Sequence, residues 1–142
     1  MDCRAGDPAA GIAYTEQALP LSRAAERNVD ILEALAELGL AYAASGQCKK
    51  ALAAIDELLA SPKADIDRAF WPHWYAWAAA QVYHRCGEQK KAAVALAKAL
   101  AGVEDFEERV RASGEEAAAF AAMPMNVAIR ASGEGNWPQA LG

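Results

Sequence analysis

The sequence lacks the features that place a protein in a membrane, outside the cell or on nucleic acid. No apolar run approaches the roughly 18 residues of a spanning helix, and residues 1–11 carry acidic, Gly and Pro residues where a secretory signal would be apolar. The 14 Lys and Arg are scattered among 19 Asp and Glu, for a formal net charge of -5, with no cluster of basic charge. We therefore expect a cytoplasmic protein that contacts neither membrane nor nucleic acid directly.

Chemical motifs are also scarce. Cys3, Cys48 and Cys86 are odd in number and widely spaced, which is typical of free, partly buried thiols in a reducing compartment rather than of a disulfide framework. No Cys or His pair has the short spacing of a zinc site, and no phosphate-binding glycine loop is present, so we expect no metal and no cofactor. His84 and Cys86 stand two positions apart, on different faces of any helix, and do not form a nucleophile and its base. The expectation is a protein without enzymatic activity.

What the sequence does contain is alanine, followed by Leu, Glu and Lys, which are the residues that enter a helix at least cost. Apolar residues recur with helical spacing over 32–42 and again over 51–59, and the glycines Gly6, Gly46 and Gly87 stand 40 and 41 residues apart. An all-α fold built from repeated antiparallel helix pairs is therefore predicted. Its expected organisation is one domain over 1–132, with a partial repeat 6–28, repeats 29–62 and 66–104 and capping helices over 105–132, followed by a flexible tail over 133–142.

Several local features define the expected helices further. Pro20 is expected to kink or end the first helix, which begins at about Pro8. After Leu100 the pattern loosens, and Pro124 is expected to start a short last helix through Ile129. One additional helix, interrupted at Gly114, is expected to carry Phe106, Val110, Ala117 and Phe120.

The middle unit resembles the tetratricopeptide repeat at its signature positions, and the third unit resembles it with small residues, Ala76 and Ala79, where larger ones are usual. This resemblance implies a right-handed superhelix of antiparallel helix pairs, in which Tyr42 and Tyr83 fill the gaps between neighbouring pairs. We therefore expect both tyrosines to be largely buried. The residues that carry the resemblance are Leu35, Leu38, Gly39, Tyr42, Gly46, Ala51 and Ile55 in the middle unit and Ala80, Tyr83, Gly87, Ala92 and Leu96 in the third.

The period of about forty residues and the ending from Phe120 to Ile129 also resemble the C-terminal repeat arrays of large bacterial signalling ATPases and transcriptional activators. In the tetratricopeptide family, the first helix of each pair lines a concave groove. The resemblance therefore implies a groove for a partner or ligand, in which two indoles supply apolar area and polar side chains supply hydrogen bonds. The matching positions are Trp74, Trp77, Gln81, His84 and Arg85 on the third unit and Glu33, Glu37 and Leu40 on the middle one.

The same residues are also explained by purely structural roles, and both interpretations stay open at this point. The indoles fit equally well as packing for the long linker before the third unit, and the glutamates as a solvated helix face. Two functions follow from the groove reading: a scaffold that binds a peptide segment or partner domain, or a small-ligand-sensing region of a bacterial regulator. The first unit also lacks its opening helix, which exposes Ile12, Tyr14, Ala18 and Leu19 and suggests a homodimer in which a second chain covers them.

Overall fold

The computed structural model describes residues 8–62, 72–114 and 123–138, and regular structure within these ranges is entirely helical. The predicted all-α class is confirmed. Among the described residues, no helix is long and apolar enough to cross a membrane. The helices are α1 Pro8–Ala24, α2 Asn28–Ala44, α3 Cys48–Leu59, α4 Pro72–Arg85, α5 Gln89–Ala112 and α6 Pro124–Gly133.

Two turns of the same geometry join α2 to α3 and α4 to α5. Gly46 and Gly87 have φ values of +79° and +82°, a left-handed conformation in which a side chain would be strained. The backbone N–H that follows each glycine donates to the carbonyl of a buried tyrosine near the end of the preceding helix. These bonds join Gln47 to Tyr42 and Glu88 to Tyr83, each at 2.8 Å.

The two tyrosines make the same contact with the preceding helix pair. The Tyr42 hydroxyl donates to Oε2 of Glu16 on α1, and the Tyr83 hydroxyl donates to Oδ1 of Asp56 on α3, each at 3.0 Å. Asp56 and Tyr83 stand 40 and 41 positions after Glu16 and Tyr42. Tyr42 and Tyr83 are 8% and 4% exposed, so their predicted burial is confirmed.

The core lies where α2, α3 and α4 meet, and Gly39 sets how closely they approach. A Cβ atom on Gly39 would stand 2.7 Å from Cδ1 of Ile55 and 3.6 Å from Cγ2 of Val82. Small residues elsewhere in the interior have the same effect, because short side chains let helix axes come together. The alanines Ala36, Ala51, Ala78, Ala79, Ala80 and Ala99 are fully buried.

The first helix runs from Pro8 through Pro20 to Ala24. The expectation that Pro20 ends the helix is therefore wrong, and the alternative, that Pro20 kinks it, stays a prediction. Ile12 and Leu19 are half-buried against the core, whereas Tyr14 and Leu21 are exposed. The rest of the protein therefore leaves only some of the apolar side chains of α1 exposed.

The second helix of the third unit is longer than predicted. It runs for 24 residues to Ala112, past the expected boundary at 104, and Phe106 and Val110 belong to it rather than to a separate cap. Gly114, at φ +82°, follows its end. The predicted interruption of a helix at Gly114 stays a prediction, because the residues that follow lie outside the described ranges. The predicted positions of Ala117 and Phe120 lie outside the described residues.

The last helix packs on this extension through an ion pair whose carboxylate is buried. Glu107 on α5 is buried, and its Oε1 accepts from Arg130 on α6 at 2.5 Å. Oε2 of the same carboxylate lies 3.7 Å from the Arg111 guanidinium. Because a buried carboxylate is stable only when paired, these contacts attach α6 to α5 at a defined position.

A disulfide between Cys48 and Cys86 joins the start of α3 to the end of α4, with 5.6 Å between the Cα atoms. The prediction of free thiols is therefore wrong for this pair. Cys86 immediately precedes Gly87 and Cys48 follows Gly46 by two positions. Stacking of the helix pairs brings the two turns side by side although the cysteines are 38 positions apart in sequence. Cys3 lies outside the described residues, and the cytoplasmic assignment loses the support that free thiols gave it.

Candidate functional site

The predicted groove residues of α4 divide into buried and accessible ones. Trp77 and Gln81 are 5% and 4% exposed, so both are covered in the folded chain. Trp74 and His84 are half-buried, and Arg85 is exposed. The face of α4 predicted to be an open groove is thus partly filled by other parts of the protein.

Trp137, from the segment after α6, covers part of this face. Its indole stacks on the His84 imidazole with 4.1 Å between ring centroids and 5° between ring planes. The same indole lies nearly parallel to Trp77, at 6.1 Å and 13°. We call Trp77, His84 and the space that Trp137 occupies the α4 aromatic face.

The orientation of His84 is fixed by the start of the next helix. Its Nδ1 lies 3.2 Å from Oε1 of Gln89, which accepts the ring N–H, and Nε2 of Gln89 donates to the His84 carbonyl at 3.4 Å. These two bonds bridge the turn between α4 and α5. The imidazole is therefore held flat towards the stacked indole.

The start of α4 lies beside the start of α2. Tyr75 is buried, and burial together with the carboxylates of Glu33 and Asp30 raises its pKa to about 12. Trp74 packs edge-on against Tyr75, with ring centroids 5.5 Å apart. Glu33, predicted to line the groove from α2, is thus close to α4.

The remaining predicted residues of α2 extend this acidic edge. Glu37 is exposed, but neighbouring atoms partly desolvate it and Glu33 repels it, and both effects raise the pKa of its carboxyl. Leu40 is half-buried against the core. A helix edge with two neighbouring carboxylates favours a partner that carries positive charge.

Sequence reasoning missed Trp137 as a site residue, because it assigned 133–142 to a flexible tail. The structure instead places Trp137 half-buried against the core. A signal was present: Trp137 is a lone large aromatic within the polar, glycine-containing stretch 133–139. An indole in such a segment is often an anchor, since nothing near it in sequence can cover it.

A second buried cluster lies at the start of α4 and is structural. His73 is buried, packs edge-on against Phe106 with ring centroids 6.2 Å apart, and lies where α5 carries Gly102. Burial lowers the pKa of His73, and a hydrogen bond with Asn126 on α6 partly offsets this shift. This cluster joins α4, α5 and α6 beneath the surface.

Across the described ranges, no three His, Cys, Asp or Glu residues are arranged so as to hold a metal ion. No family model, curated protein or solved structure matches the chain. The resemblance to tetratricopeptide repeats therefore depends on the residues of this chain and on the contacts that recur between its units.

Proposed function

We propose that the protein is a non-enzymatic interaction module, and that its α4 aromatic face binds an aromatic side chain on a segment of a protein or peptide partner. One observation carries this proposal: an indole from another part of the chain, Trp137, already lies on that face in a stacked geometry. The face can therefore accept an aromatic side chain from an extended segment. A partner segment would take the place of Trp137.

The chemistry of the face suits such a partner. Trp77 supplies a flat apolar surface, and the His84 imidazole is fixed in orientation by Gln89. Aromatic anchors in defined pockets contribute most of the binding energy in many interfaces. The neighbouring Glu33 and Glu37 favour a segment that is basic beside its aromatic residue.

The larger architecture belongs to the same proposal. Helix pairs that repeat the tyrosine contacts of Tyr42 and Tyr83 would continue as a right-handed superhelix, as in tetratricopeptide scaffolds. Two further predictions are of the same kind: a role as part of a bacterial regulator, and a homodimer through the α1 residues Ile12, Tyr14, Ala18 and Leu19, of which Tyr14 is exposed. The cytoplasmic location also remains a prediction.

The test supplies the aromatic segment in trans. A Trp137→Ala chain is titrated with a synthetic peptide of residues 132–142 that retains the tryptophan, and binding is followed by calorimetry. We expect saturable binding, and a peptide carrying Ala at that tryptophan position should bind about thirtyfold more weakly, since an aromatic anchor is worth about 2 kcal/mol or more.

Two further changes in the Trp137→Ala chain show where the peptide binds. His84→Ala should weaken binding because it removes the stacking partner, whereas Tyr14→Ala, which removes an exposed aromatic ring on α1, should leave it unchanged. Binding that does not depend on the peptide tryptophan, or that responds equally to both changes, would refute the proposal.

A further inference from the structure

A cavity lies between α3 and α5, away from the α4 aromatic face. Its volume is about 340 Å³, and side chains of α4 form its floor. Neither Trp77 nor His84 lines it. We call it the α3–α5 groove, and its lining residues are Leu59 from α3, Ala76 and Tyr83 from α4, and Lys90, Lys91, Val94, Ala95 and Lys98 from α5.

The lining combines exposed apolar surface with charge of one sign. Leu59 and Val94, two large aliphatic side chains that both line the cavity, are 41% and 60% exposed. The charged residues of the lining are three lysines and include no carboxylate. Within the described ranges, none of these three ammonium groups forms an ion pair.

The corresponding gap between α1 and α3 has a different chemistry. There Glu57 of α3 forms an ion pair with Arg23 of α1 at 2.7 Å, and the pair bridges the two helices. Lys98 stands 41 positions after Glu57, which is the repeat offset of Tyr83 from Tyr42. A lysine has thus replaced the bridging carboxylate, which gives the α3–α5 groove an excess of positive charge.

We propose that the α3–α5 groove binds a small anionic amphiphile, meaning a molecule with one carboxylate or sulfonate on an alkyl or aryl body. The apolar part would cover Leu59 and Val94, and the anionic group would pair with the lysine ammonium groups. Such a ligand would supply in the α3–α5 groove the negative charge that Glu57 supplies between α1 and α3.

The size of the cavity suits a small molecule. Lys90 and Lys98 are eight residues apart on α5, which corresponds to about 12 Å along the helix axis. The cavity of about 340 Å³ lies near the lower end of the range of small-ligand pockets, roughly 300 to 1,000 Å³.

The repeat supplies a matched control for the test. Lys49 and Lys50 stand 41 positions before Lys90 and Lys91. Lys50 lies 5.6 Å from the Tyr42 ring centroid, just as Lys91 lies 5.7 Å from that of Tyr83. Replacing either lysine pair with glutamine removes the same charge from the same structural positions, but only the second pair lines the groove.

The full chain is titrated with decanoate below its micelle concentration, with binding followed by calorimetry and by methyl NMR. We expect saturable binding with shifts of the Leu59 and Val94 methyl signals. Lys90→Gln with Lys91→Gln should weaken binding about tenfold, and Lys49→Gln with Lys50→Gln less than about twofold. Melting curves of both variants verify that they fold equally.

Each of four results would overturn the proposal. The first is that decanoate does not bind saturably, as expected if a second chain covers the groove. The second is that decylamine binds as tightly as decanoate, which would make the lysines irrelevant. The third is that the two lysine variants weaken binding equally, and the fourth is that the Leu59 and Val94 methyl signals do not shift.

Discussion

His73 is one of two histidines in the chain, and its surroundings make stability depend on pH. Because burial lowers its pKa in the folded protein, the unfolded chain binds a proton more readily, with a pKa of about 6.5. The free energy of unfolding should therefore be unaffected by this group at pH 8 and should fall as the pH drops below about 6.5. Urea unfolding between pH 8 and pH 5 measures this loss.

The other histidine provides the comparison. His73→Gln should flatten the decline between pH 8 and pH 5 more than the matched His84→Gln, which leaves the buried His73 in place. Glu37, whose pKa is raised, should increase the free energy of unfolding as the pH falls further. Because both variants keep Glu37, this contribution cancels when their unfolding free energies are compared. An unchanged decline in His73→Gln would show that His73 does not cause the effect.

Individual residues also show how far sequence reasoning extends. Burial of Tyr42 and Tyr83 is predictable, because the tetratricopeptide pattern fixes which helix positions face a neighbouring pair. The contact of Trp137 with His84 is not predictable, since it joins residues 53 positions apart through a segment with no periodic pattern. Helical spacing relates residues within one helix and gives no information about what a later segment covers.

Helix α5 passes very close to α4, and Gly102 permits this approach. A Cβ atom at Gly102 would overlap the Cβ atom of His73, which cannot move without shifting the α4 backbone. Gly102→Ala should therefore destabilise the protein by about 1 to 3 kcal/mol, as is usual for overpacking. Chemical denaturation of the purified variant gives the value.

A glycine in the first helix offers a control for Gly102→Ala. A Cβ atom at Gly11 would meet nothing within 4 Å, so Gly11→Ala should stabilise the protein by up to about 1 kcal/mol through helix propensity alone. Changes of the same sign in both variants would contradict the close packing of α4 on α5.

The helices of the middle unit follow directly from the sequence, since regular apolar spacing and the turn at Gly46 define α2 and α3. The length of α5 does not, because Val103 and Phe106 continue its packed side while the expected period ends the unit at 104. The effect of Pro20 is also not predictable from the sequence. A proline disfavours a helix locally, yet α1 continues past Pro20 where the neighbouring Leu19 packs against the core.

Stacking of the helix pairs creates the one covalent link between units that the described residues contain, the Cys48–Cys86 disulfide. A bond that closes a loop of 38 residues restricts the unfolded chain, and by the entropy model it stabilises the fold by about 3 to 4 kcal/mol. Adding a reductant should therefore lower the Tm clearly. A chain with Cys48→Ser and Cys86→Ser should melt at the same temperature with and without reductant; sensitivity in that variant would assign the effect elsewhere.

The central claim concerns the molecule as a whole: the α4 aromatic face is a binding site that Trp137 occupies in the free chain. The most direct measurement compares the affinity of the residue 132–142 peptide for the unaltered chain and for Trp137→Ala. If Trp137 competes for the face, the unaltered chain should bind the peptide at least about tenfold more weakly, while both chains melt cooperatively. Equal affinities would place the peptide elsewhere, and a Trp137→Ala chain that no longer folds would show that the indole is core packing rather than the occupant of a site.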